Sequence, residues 1–164
     1  MRNLIRSAVP AEVDVSTQPL AQAGKLLDQP GLAACVNLVL CQVSANSSRS
    51  NVRPTRTGRP AEVERPVGAL DLHYLVTVYG LASPEQECST ERLLEAVYEA
   101  ICQKPILGPT DLESALPSAT GTPRNMMAKI TARGLSSEEM QSFFSSMQAA
   151  YRPTISCLVT LSEA

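Results

Sequence analysis

Three stretches rich in Val, Leu and Ile limit what this chain can fold into: ACVNLVLCQVS at 34–44, ALDLHYLVTVY at 69–79 and TISCLVTLS at 154–162. Alternation with a period of two is the imprint of a β-strand, whose successive side chains point to opposite faces of a sheet. In the first stretch Val36, Leu38 and Leu40 share one face, with Val39, Cys41 and Val43 on the other. Apolar residues on both faces predict a central strand. In the second, Leu70, Leu72, Tyr74, Val76 and Val78 oppose Asp71, His73, Leu75 and Thr77, so one face is core. The third sets Ile155, Cys157, Val159 and Leu161 against Ser156, Leu158, Thr160 and Ser162.

Helical signals fill the intervals. Met1–Ala8 reads as a short helix end, Glu12–Thr17 as a half-buried strand through Val13 and Val15, and Leu20–Pro30 as a loop with one helical turn. A helix opens at Ser83 and Pro84, or at Ser89, and runs to about Gln103 before Pro105 stops it. Its Leu93, Leu94, Val97, Tyr98, Ile101 and Cys102 form a stripe wide enough to lie on a sheet. Pro109–Leu116 reads as a short helix with Thr110 as cap and Pro117 as stop, and Ser118–Asn125 as a turn-rich loop. Met126–Arg133 is predicted as an edge strand, with Lys129 and Arg133 discouraging edge-to-edge pairing. Ser136-Ser137-Glu138-Glu139 is a capping box opening a helix that turns Met140, Phe143, Phe144 and Met147 inward. This order predicts an α+β domain spanning 1–164: a single mixed, mainly antiparallel, twisted sheet with helices packed on it.

Chemistry finds little support. A net charge of −2 over 164 residues offers no surplus of cations for phosphate backbones, so no nucleic-acid partner is expected. No apolar run reaches the ~18 to 20 residues that span a bilayer, and none resembles a secretory leader, which predicts cytoplasmic synthesis without membrane insertion. The five cysteines (Cys35, Cys41, Cys88, Cys102 and Cys157) are odd in number and lack a Cys-x-x-Cys pair. Neither a disulfide framework nor a metal site is expected, and Cys35, Cys41 and Cys157 read as small buried hydrophobes. No phosphate-cradling or nucleophile motif occurs, so neither a cofactor nor a catalytic residue is assigned. Glu85, Glu87, Glu91, Glu95 and Glu99 have the spacing of a solvated helix face. His73, the lone histidine, shares a strand face with Asp71, which allows a local pair but supplies no nucleophile.

One segment is not explained by folding. Residues 45–67 hold five arginines (Arg49, Arg53, Arg56, Arg59 and Arg65) against Glu62 and Glu64, a local charge of +3, with three prolines and almost no large apolar side chain. Loops this long inside compact domains are usually disordered or functional. This one reads either as a solvated loop or as an arm that orders against an acidic neighbour.

Three segments carry a family resemblance: Val36-Asn37-Leu38-Val39-Leu40-Cys41-Gln42-Val43; Ala69-Leu70-Asp71-Leu72-His73-Tyr74-Leu75-Val76-Thr77-Val78-Tyr79-Gly80; and Tyr151-Arg152-Pro153-Thr154-Ile155-Ser156. With the long polar loop, the Leu-Leu helix ending in Lys104-Pro105-Ile106-Leu107 and the Leu-Ser-Ser-Glu-Glu helix, the chain from Val13 onward resembles the N-terminal domain of cap, or tail-terminator, proteins of extracellular contractile injection systems of the antifeeding-prophage and virulence-cassette type. It departs from that pattern at Phe143-Phe144, where a tryptophan is expected, and in a shorter first helix.

The resemblance implies a non-enzymatic subunit of a ring, six-fold in the family's pattern, seated on the last layer of inner tube and sheath. Its implied partners are further copies of itself and the tube and sheath proteins, in a particle assembled in the cytoplasm and then released. The Arg-rich segment becomes the candidate arm, with Arg49, Arg53, Arg56, Arg59 and Arg65 as interface residues. Two other classes stay open: a phage-like connector or baseplate adaptor, and, more remotely, an enzyme using Asp71 and His73.

Overall fold

The structure is a computed structural model that describes residues 1–23, 25, 34–46, 69–80, 84–115 and 126–163. The strands are β1 (Val13–Ser16), β2 (Ala34–Ala45), β3 (Leu70–Gly80), β4 (Ile106–Leu107), β5 (Met126–Arg133) and β6 (Thr154–Glu163). The helices are α1 (Arg2–Ala8), α2 (Leu20–Ala23), α3 (Pro84–Gln103), α4 (Pro109–Ala115) and α5 (Ser137–Ser146). The strands form one six-stranded sheet in the order β1-β2-β3-β6-β5-β4. Among the described residues only β1 and β2 pair in parallel and the other ladders are antiparallel, as the α+β reading expects.

Helices cover both faces. On one, Ile5 of α1 and Leu93, Val97 and Ile101 of α3 pack on Val36, Leu38, Val76, Val78, Cys157 and Val159, all buried. On the other, Leu20 of α2 and Phe144 of α5 close over Leu75, while Ala23 meets Cys35 and Tyr79. The α3 stripe is narrower than its spacing suggests. Leu93, Val97 and Ile101 are buried, but Tyr98 is 48% exposed and Cys102 lies on the surface, because one helix resting on a sheet buries little more than a single row of side chains.

Local chemistry sets the boundaries. At α5 the Ser136 hydroxyl accepts from the Glu139 N–H at 3.2 Å, and the Ser136 N–H donates to Glu139 Oε2 at 2.9 Å, completing the capping box. At α4 the expected Thr110 cap is replaced. Thr110 lies within the helix, and Asp111 reaches back to accept from the Gly108 N–H at 3.0 Å while pairing with Lys104 at 2.6 Å. A carboxylate meets the orphan donors of a helix start better than a hydroxyl one residue out of place. Both acids are held below the ordinary carboxylate range, Asp111 first by the Lys104 hydrogen bond and Glu139 first by the Ser136 N–H.

β1 stops at Ser16, and Asn37 takes over its role. The buried Asn37 carboxamide accepts from the Gln18 N–H at 3.1 Å and donates to the Gln18 carbonyl at 2.9 Å, after which Pro19, which has no N–H to give, leads the chain into α2. β2 is therefore central only over Ala34–Asn37. Among the described residues its remaining length is an edge, which corrects the expectation of a central strand throughout.

A β-bulge makes a second correction. The register runs Leu40↔Tyr74 and then Gln42↔His73, so Cys41 is the extra residue. An inserted residue reverses the alternation beyond it. Val43 pairs with Leu72 and joins the face of Leu38 and Leu40, where the sequence placed it opposite.

Candidate assembly surface

The β2–β3 hairpin presents the Arg-rich segment. Its ladder runs from Ala34↔Gly80 to Ala45↔Leu70, and the Asn46 N–H then donates to the Ala69 carbonyl at 2.8 Å. Arg49, Arg53, Arg56, Arg59 and Arg65, the candidate interface residues, lie outside the described residues; their root does not.

That root is clamped from three sides. The Asn46 amide donates to both Asp71 oxygens, at 3.1 and 3.2 Å, and the Thr160 hydroxyl donates to Asp71 Oδ1 at 2.7 Å. The clamp ties the end of the hairpin to β6, the next strand in the sheet, through hydrogen bonds to a charged acceptor, which are stronger than neutral ones. His73 does project to the face of Asp71, in register with Gln42 and Leu158, and is partly buried. Its imidazole makes no hydrogen bond with the described residues, and the Asp71 carboxylate is engaged by Asn46 and Thr160 instead. The two residues do not form the pair that acid–base chemistry requires. Among the described residues no three His, Cys, Asp or Glu side chains converge to hold a metal ion.

Beside the clamp lies an apolar patch that alternation alone does not reveal. Leu40 is 45% exposed, Val43 55% and Leu70 38%, all on the side of the sheet that carries α1 and α3. The register brings them together, since Leu40 stands opposite Tyr74, Val43 opposite Leu72 and Leu70 opposite Ala45. Contiguous exposed apolar side chains at an open edge mark interaction surfaces more often than isolated ones do.

The Tyr-Arg-Pro segment before β6 forms a second surface feature. Gln148, left-handed at φ 51°, turns the chain out of α5. Tyr151, 67% exposed, sets its ring 5.5 Å from that of Phe144, and the Arg152 guanidinium sits 5.7 Å above the Tyr79 ring. A shallow groove of about 340 Å³ lies here between Gln141, Phe144, Ala149 and Tyr151.

The described cysteines are free. Burial pushes the Cys35 thiol up to about 11, with Asp14 adding to the effect, and the Cys157 thiol up to about 12, with a smaller push from Cys102. Both are fully buried, as small core hydrophobes are; Cys41 is only half-buried.

The family model described as the Pvc16 N-terminal domain matches residues 1–164. Two cryo-EM structures share the fold. One is the sheath/tube terminator of the PVC extracellular contractile injection system in its extended state: TM-score 0.61, 15% identity, covering 100% of this chain and 54% of that one. The other is the tube-terminating cap of the anti-feeding prophage: TM-score 0.62, 13% identity, covering 99% of this chain and 52% of that one. The chain thus spans about half the length of the solved chains it matches. No curated protein gives a significant match.

Proposed function

The chain belongs to the Pvc16 N-terminal domain family, and from that premise we propose that it is a structural terminator: a cap subunit that closes the distal end of the inner tube and sheath of a contractile injection particle and limits their length. The observation that carries this reading is the fit of the whole chain to two terminator structures at TM-scores of 0.61 and 0.62.

The physical argument agrees. A terminator needs no reacting group; it needs one surface that fits a growing end and another that refuses the next subunit. The clamped hairpin root, with the apolar patch beside it, supplies a rigid base for the first of these. In this reading the subunits close a six-fold ring by head-to-tail contacts, and Arg49, Arg53, Arg56, Arg59 and Arg65 reach to tube, sheath or neighbouring subunit. The protein acts without catalysis, is built into the particle in the cytoplasm and leaves the cell with it. Among the described residues no helix is long and apolar enough to cross a membrane.

The test is electron microscopy of particles assembled with and without the chain, measuring tube and sheath length. Loss of uniform length and of density at the distal end supports the terminator. Particles of unchanged length put the second reading, a connector or baseplate adaptor on the same fold, in its place.

A further inference from the structure

Among the described residues, no strand lies beside the outer edge of Val39–Ala45, because β1 pairs with β2 only as far as Asn37. This length carries neither a charge nor a proline, two devices that commonly protect a sheet edge from other chains. Among the described residues the bulge at Cys41 is its one blunting feature. A row of backbone donors and acceptors flanked by the exposed Leu40 and Val43 calls for another strand, since only a strand meets those groups at their own spacing.

The same chain owns such a strand at the other side of its sheet. β4 pairs with β5 only at Ala128 and Lys129, which leaves Thr131–Arg133 without an outer neighbour among the described residues. Across the sheet, Leu40 lies level with Tyr74, Cys157 and Ala132, so the two open edges stand at the same height. Three successive antiparallel ladders make β5 antiparallel to β2. Two copies side by side in the same orientation therefore bring β2 and β5 together as an antiparallel pair. Charge argues against a β5–β5 contact, in which the two Arg133 side chains would be brought close, while Gln42 and Ser44 of β2 present no charge to oppose Arg133; a β2–β2 contact is separated from the β2–β5 one by the variants below.

We propose that the Val39–Ala45 edge of β2 receives the β5 edge of a second copy, so that the sheet continues across the subunit boundary. The inference deepens the terminator reading and rests on it only for closure of the contact into a ring.

Analytical ultracentrifugation of the full chain over a range of concentrations tests it. The wild type is expected to self-associate. Leu40→Lys with Val43→Lys spoils one edge, Ala132→Lys spoils the other, and each variant is expected to be monomeric with a wild-type circular dichroism spectrum. Mixed in equal amounts they retain one good edge apiece, so they should form a 1:1 heterodimer that grows no further. A wild type that stays monomeric at every concentration overturns the proposal. So does a β5-edge variant that dimerises alone, or an assembly that survives both changes. Should Ala132→Lys unfold the chain, Thr131→Lys, at an exposed position of the same open stretch, takes its place. Unchanged particle length on removing the chain would remove the terminator reading and leave the heterodimer result standing.

Discussion

The Thr160 hydroxyl donates to Asp71 Oδ1 at 2.7 Å across the β3–β6 ladder, and the same carboxylate holds the Asn46 amide at the mouth of the hairpin. One acidic side chain thereby joins β3, β6 and the residue that follows β2 at the root of the Arg-rich segment. Asp71→Ala leaves both donors without this acceptor and is expected to cost about 1 to 2 kcal/mol in a urea titration, with Thr160→Val costing about 1. Equal midpoints for wild type and Asp71→Ala would show that the clamp contributes nothing.

The α3 stripe predicts a sharp contrast between neighbours on one helix. Ile101→Ala removes a side chain that is 1% exposed and is expected to cost about 2 to 5 kcal/mol. Tyr98→Ala, three residues earlier on the exposed side, should stay within about 0.5 kcal/mol. Thermal unfolding of the two variants decides it.

The capping box of α5 gives a pH dependence. Ser136→Ala is expected to cost about 1 kcal/mol. Glu139 is held below its ordinary value in the folded chain, so its contribution is present above the unfolded carboxyl pKa and is lost as pH falls through the lower folded value. The stability gap between wild type and Glu139→Gln should therefore close on moving from neutral to acidic buffer. A gap that widens on acidification would contradict the assignment.

Thiol chemistry offers a fourth check. In a Cys88→Ser background at mildly alkaline pH, a disulfide-exchange reagent should modify the exposed Cys102 quickly, whereas Cys35 and Cys157, with pKa values of about 11 and 12, should react only as fast as the chain opens. Prompt labelling of Cys157 would mean that β6 is not buried as described.

Much of this architecture is written in local pattern. The alternation of 69–79 and 154–162 and the Ser136–Glu139 spacing report forces that act over a few residues, and the elements appear where those forces put them. The surface is harder to read. Whether Val43 faces Leu40 depends on one inserted residue at Cys41, and a strand that reads as alternating gives no sign of where its register slips. Whether β2 is central or an edge depends on how far a four-residue strand beside it extends, which the Asn37 carboxamide decides from 19 positions beyond Gln18. The apolar patch follows from both and so lies beyond any single segment. The Arg-rich segment is legible as an anomaly of charge, while its five arginines remain outside the described residues.

The place of β6 in the sheet governs how the molecule can be made. β6 is synthesised after β3 and β5, yet it fills the slot between them, with Leu70 pairing to Leu161 and Ala128 to the same residue. On the ribosome, the β2–β3 hairpin and β5 must wait with apolar inner edges open until residue 161 has emerged. Pairings this distant along the chain fold slowly and leave sticky surface exposed in the interval. A domain of this design closes its sheet only once its last-made strand is available, and until then its open inner edges are the surface most exposed to misassociation.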